Sequence, residues 1–413
     1  MVRLPSIAGA PAKGLAPLHG RWLETALGGK IPSESHATCE SCAMLPVPGG
    51  EDGHRDAVFF NPKTKCCTYL PLLPNFLVGA ILADGAPDMA EGRARVLERI
   101  GKKVGVTPLS VGAGGAYKLM YDHGDGAFGH SEAMRCPYYL EDRIGGGCGI
   151  WRHRNSVCMT WFCKHERGAP AKRFWDSANE LLMAVEENLA IHCLVTLGFD
   201  DAALRANFPL KVPNSRKHTG TVNGDELDGV VSPERYRAFW GSWTGREQEL
   251  YRQCDAIVRN MEWGEVERIG GATVALLSQL ARAAYQTATS DDLPERLEIG
   301  EFSVIGMGHE TVRLATYSAY DPVDAPAALL PALPAFDGSK VPAALRAIEK
   351  DHGLVLQPEL VRKLVDYGLL RAVDVSDQAG GTPQPDFAGA ISASAKANVS
   401  SSSRRQTVTR RQL

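Results

Sequence analysis

Phe174, Ala178, Leu181, Leu182, Val185, Leu189 and Cys193 recur three and four residues apart. That spacing puts them on one face of a helix, which turns once every ~3.6 residues. The same rule predicts a helix from about Pro233 to Met261, with Leu250, Tyr251, Cys254, Ile257 and Val258 on its apolar stripe, and another near Val266 to Tyr285. Upstream, shorter helices are expected around Leu15 to Leu27 and Ala90 to Val104. Beyond Asp291 the pattern changes. Leu297, Ile299, Phe302 and Val304, then Val312, Leu314 and Thr316, read as two strands joined by a turn at Gly306-Met307-Gly308. Asp337-Gly338 is expected to turn the chain into two short helices, Val341 to His352 and Gln357 to Leu370.

These patterns predict an α+β, mainly helical protein. An N-terminal extension (1–34) leads into an irregular cysteine-rich metal-binding domain (35–173). A helical bundle (174–290), with a polar loop around Pro213 to Asp228, and a small winged-helix-like module (291–372) follow. The last segment, 373–413, loses apolar periodicity and ends in Arg404-Arg405 and Arg410-Arg411; its composition predicts a disordered tail. Gly and Pro crowd the 35–173 region, as expected where ligands rather than a wide apolar face organise the chain.

Composition narrows the function classes. Hydrophobic residues make up 44% and charged residues 23%, with 45 basic against 48 acidic side chains and a net charge of −3, so nothing global points to a nucleic-acid binder. The longest apolar run, Phe76 to Ala83, falls short of the ~18 residues a membrane span needs. The first 20 residues do not have the form of a secretory signal, so a cytoplasmic protein, whose thiols stay reduced, is expected.

The cysteines carry the chemistry. Eight of the ten lie in the first 163 residues, as Cys39-x2-Cys42, Cys66-Cys67, Cys136-Pro137, Cys148 and Cys158-x4-Cys163. Zinc and iron–sulfur clusters each ask for four thiolates, so the set suits two four-thiolate centres or one larger site with spare positions. Four thiolates around either leave a net charge near −2. Between Arg135 and Arg173 eight basic residues face three acidic ones, a surplus that can offset such a site. Arg152, His153 and Arg154 are the candidates for contact with the bound group.

Those same segments carry a family resemblance. Arg135-Cys136-Pro137, the stretch Gly147-Cys148-Gly149-Ile150-Trp151-Arg152-His153-Arg154, Cys158 and Phe162-Cys163 together resemble the second half of the YkgJ-type family, the CxxCxxCC zinc- or iron-chelating domain. Cys39-x2-Cys42 and Cys66-Cys67 resemble its first half, although residues 43–65 separate two pairs that in the family follow closely. The resemblance implies binding of iron–sulfur clusters or of zinc; with the eight-cysteine array and the C-terminal module, the leading expectation is a 4Fe-4S protein doing redox or radical chemistry on a protein or peptide partner. A zinc-stabilised protein-binding module is the alternative. The same domain occurs in the flagellin lysine N-methylase family, which adds cluster-dependent lysine methyl transfer. The segment around Phe336-Asp337-Gly338 and Leu360 to Leu370 is similar to the PqqD-like winged helices that recognise peptides.

The remaining candidates have plainer roles. Cys193 and Cys254, on apolar helix faces, are expected to be inert core thiols. His165 flanks a ligand cysteine and His192 is expected to pack. His123, His130, Asp122 and Asp125 form a polar stretch expected to be a solvated loop. Gly112, Gly114 and Gly115 lack the lysine and serine of a phosphate loop.

Overall fold

The structure is a computed structural model and describes residues 15–35, 38–39, 42–45, 59–124, 126–141, 146–208 and 232–373. The 213–228 loop, Asp125 and the tail from 374 onward lie outside the described residues. The protein is α+β and mainly helical, with small antiparallel sheets.

One long helix organises the larger part. In chain order the helices are α1 (Pro17–Leu27), α2 (Asn75–Ala83), α3 (Ala90–Lys102), α4 (Gly115–His123), α5 (Ser156–Thr160) and α6 (Gly168–Thr196). They continue with α7 (Asp201–Asn207), α8 (Pro233–Trp240), α9 (Glu247–Val258) and α10 (Trp263–Thr289). The predicted stripe on α6 is real: Phe174, Leu181, Leu182, Val185, Leu189 and Cys193 are all fully buried. α6 packs along α10, and α2 packs along α9. A single apolar core therefore runs from α1 through the cysteine-rich segments into the helical region. Burying these side chains contributes on the order of 2 kcal/mol each.

The expected Pro233–Met261 helix is instead two, α8 and α9. Gly241 takes φ +51° and ψ −129°, a left-handed position that an L side chain resists, and a short 3-10 turn, Gly241–Trp243, follows. The turn lets Trp240 enter the core against Tyr251, with ring centroids 5.7 Å apart.

The C-terminal part has its own core, built on Leu297, Leu314, Phe336, Ile348, Val361 and Leu364. Its strands are β5 (Arg296–Ile299), β6 (Ser303–Met307), β7 (Thr311–Ala315), β8 (Val323–Pro326), β9 (Asp337–Lys340) and β10 (Leu370–Ala372); two-residue strands β1 (Leu73–Pro74), β2 (Ser110–Val111), β3 (Tyr139–Leu140) and β4 (Gly147–Cys148) lie upstream. The run from Leu297 to Val304, expected as one strand, splits at Gly300, whose N–H donates to Leu369 O at 2.8 Å. β5 then sits between β10 and β9, while β6 pairs with β7 and β7 with β8. The hairpin turn lies beyond Met307 rather than centred on it, because Met307 still pairs with Val312. Asp337-Gly338, expected as a turn, lies in β9. The helix α11 (Val341–His352) matches its expected bounds and ends on Gly353 in the left-handed cap position; α12 runs Pro358–Asp366.

Candidate metal centre

Cys66 and Cys67 lie on a pinned loop. The N–H groups of Thr64 and Lys65 both donate to Asn61 O, Thr64 Oγ1 donates to Gly129 O at 2.9 Å, and Gly129 N–H donates to the Thr68 hydroxyl at 2.7 Å. Cys136 is bound to this loop through its N–H, which donates to Cys67 O at 2.6 Å. Cys148 follows on the β3–β4 hairpin, opposite Tyr139. Gly149, the next residue, rests against Gly92 of α3.

Cys158 sits in the first turns of α5. Asn155 caps that helix by accepting from Cys158 N–H at 3.2 Å, and Arg154 Nη1 donates to Cys158 O at 2.9 Å. Glu186 of α6 braces the same end: it accepts from Ser156 N–H at 2.6 Å, from the Ser156 hydroxyl at 2.8 Å, and lies 3.0 Å from His19 Nε2. A carboxylate reaching a helix start from a core helix fixes both position and direction of the turn that carries Cys158.

The structure brings the sulfurs together. Cys39, Cys42, Cys66, Cys158 and Cys163 line one cavity of about 80 Å³, alongside Lys65, Arg154 and Lys164. Cys67, Cys136 and Cys148 do not line it but lie within electrostatic reach of Cys66 or Cys158. Cys193 and Cys254 lie apart in the core, with Cys193 Sγ 3.8 Å from Cys254 O, as expected of structural thiols. Among the described residues no three His, Cys, Asp or Glu side chains stand close enough to close on one metal ion as drawn.

Crowding shows in the thiols' acidity. Burial, then repulsion from Cys66 and Cys148, pushes the Cys39 thiol up to about 12; burial does the same to Cys136 and Cys163. Cys158 is driven well above its ordinary value by burial and by Cys136. Cys66 goes the other way, to about 7, because the Cys67 thiol hydrogen-bonds to it. The pocket thus holds many sulfurs that repel one another as thiolates, a cost that a bound cation removes.

Three positive charges face them. Lys65 is only 2% exposed, takes φ +51°, and its Nζ donates to Cys39 O. That backbone conformation costs an L residue about 1–2 kcal/mol, and a buried ammonium costs more unless countercharge is present. The Arg154 guanidinium carbon lies over Trp151, 3.4 Å from the ring centroid. Sequence reasoning missed Lys65 and Glu186: the one signal for Lys65 is its place beside the Cys66-Cys67 pair, and for Glu186 a carboxylate on an apolar helix face.

Of the expected contact residues, Arg154 alone lines the cavity. Arg152 pairs with Asp88 at 2.8 Å, and His153 Nε2 lies 2.9 Å from Asp84 Oδ2, so both tie the Trp151 turn to the α2–α3 connection. His165 is buried against the C-terminal part, its Nδ1 3.2 Å from the Tyr317 hydroxyl, and burial pushes it down to about 4. His192 is partly buried and 3.4 Å from Thr196 Oγ1. His123 ends α4, and Gly114 caps its start. Trp161 and Phe162 join Trp151 at the cavity wall.

Comparison with protein-family models, with curated proteins and with solved structures returns no match. No helix among the described residues is long and apolar enough to cross a membrane.

Proposed function

We propose that this is an iron–sulfur protein of YkgJ type, its cluster held by the cysteines that converge on one cavity. The carrying observation is that five thiols from three separate stretches surround about 80 Å³ of space with three cations at its wall. A water needs ~10–15 Å³ on that measure, so the space fits a group of several atoms better than a single ion. Thiols are the ligands iron–sulfur clusters take, and buried positive charge answers the net negative charge of a thiolate-bound cluster.

Cys39, Cys42, Cys66, Cys158 and Cys163 face the cavity and are the first ligands to expect; Cys67, Cys136 and Cys148 supply a second set or support the first. Bound there, a cluster supplies one-electron transfer. The chain's own residues orient the thiolates, exclude water with Trp151 and Phe162, and hold positive charge at Lys65 Nζ and the Arg154 guanidinium. The C-terminal part, a candidate winged helix, abuts the site where Tyr320 meets Phe60, ring centroids 5.9 Å apart, which makes it the natural platform for a protein or peptide partner.

Protein purified without oxygen is expected to be brown, absorbing near ~400 nm and bleaching on reduction. Colourless protein that carries zinc alone contradicts this. Lys65→Met keeps the length of the side chain and removes its charge. That variant is expected to show a more negative reduction potential and faster iron loss to a chelator, and an unchanged potential would remove Lys65 from the site's electrostatics.

A further inference from the structure

A second basin is walled in part by Pro137, the residue after Cys136. It encloses about 320 Å³ and is lined by Arg95, Glu98, Arg99, Lys102, Val104 and Pro137. That volume falls at the low end of small-molecule sites, ~300–1,000 Å³. The three cations occupy positions i, i+4 and i+7 of α3, so they form a row on one helix face some 10 Å long, at ~1.5 Å per residue.

Charge in the row is incompletely answered. Arg95 is held by Glu91 at 2.6 Å and also donates to Pro137 O at 2.8 Å. Lys102 meets Glu98 at 2.6 Å, an ion pair in which both side chains are well exposed and which a competing anion can replace. Arg99 differs. Its guanidinium donates to Gly112 O and Val104 O, neutral carbonyls, and among the described residues no carboxylate pairs with it. Its Nε–H, closed off from solvent, has no acceptor among the described residues. One uncompensated charge flanked by two others is an arrangement for anions, and Val104 and Pro137 give the basin an apolar wall.

We infer that this basin binds a small molecule carrying two phosphate groups. A row of cations favours two separated anionic groups over one, and guanidinium forks match phosphate oxygens. Occupancy also places the ligand beside a ligand cysteine, because Arg99 lies within electrostatic reach of Cys136 and Arg95 holds Pro137. The inference does not rest on what fills the cysteine cavity, and the two fail separately.

The test is calorimetric titration of the full chain with hexane-1,6-diyl bisphosphate, beside its matching dicarboxylate, octanedioate. The bisphosphate is expected to bind, to weaken as salt rises, and to bind about tenfold more weakly to Lys102→Glu, which places a carboxylate in the row. Lys102 is exposed at the helix end, so that variant folds; Arg95→Gln is the second, expected to weaken binding in the same direction. Absence of binding at about 10 mM, equal affinity for the dicarboxylate, or native affinity in both variants overturns the inference.

Discussion

Cys158→Ser is expected to strip the bound metal and to destabilise the cysteine-rich part of the fold. Removing a partner outside the ligand shell already costs ~10–100-fold in metal affinity, so removing a ligand should cost at least about 100-fold, or about 2.8 kcal/mol. For a unit of this size that lowers the melting temperature of the loaded protein by roughly 6–11 °C. The serine hydroxyl preserves volume and the Asn155 cap but gives no thiolate at neutral pH. Cys254→Ala is the control. It empties a buried core position outside the cysteine-rich segments, and it is expected to lower stability while leaving iron content unchanged. Equal iron in native protein and Cys158→Ser, with equal melting temperatures, would show that the ligand set is wrong.

Gly92→Ala is expected to have a comparable effect without touching a cysteine. A Cβ at Gly92 would lie 1.9 Å from Gly149 O and 2.5 Å from Gly149 C, so α3 and the strand that carries Cys148 cannot both stay in place. Backbone on backbone leaves no flexible side chain to yield, and overpacking of this kind costs typically ~1–3 kcal/mol. The displaced atoms belong to the residue after Cys148, so metal retention should fall together with stability. Gly101→Ala, on the same helix with open space at its Cβ, is expected to be neutral or to stabilise by up to about 1 kcal/mol. Urea unfolding and iron retention read both variants. A Gly92→Ala protein as stable and as iron-rich as the native one would contradict the packing described here.

Much of this architecture is legible in the sequence, for identifiable reasons. The α6 stripe and α11 are strong local signals, the second framed by Pro342 at its start and Gly353 at its end. The break between α8 and α9 was not legible, because the apolar spacing continues across Gly241 while the backbone does not. The split at Gly300 depends on a hydrogen bond to Leu369, a residue distant in sequence, which no local pattern carries.

The site divides in the same way. Cysteine spacing singles out eight side chains, of which Cys39, Cys42, Cys66, Cys158 and Cys163 share one cavity. Which positive charges answer them depends on long-range packing. Arg154 turns inward over Trp151, whereas its neighbours Arg152 and His153 turn to Asp88 and Asp84, carboxylates in the α2–α3 connection. Lys65 enters the cavity because the Asn61 and Thr64 bonds force the loop into an unusual turn.

Metal analysis of anaerobically isolated protein tests most directly whether a polynuclear cluster fills the cysteine cavity. Iron and acid-labile sulfide in equal amounts, about four of each per cluster, are the expected result. Stoichiometric zinc with neither iron nor sulfide would contradict it.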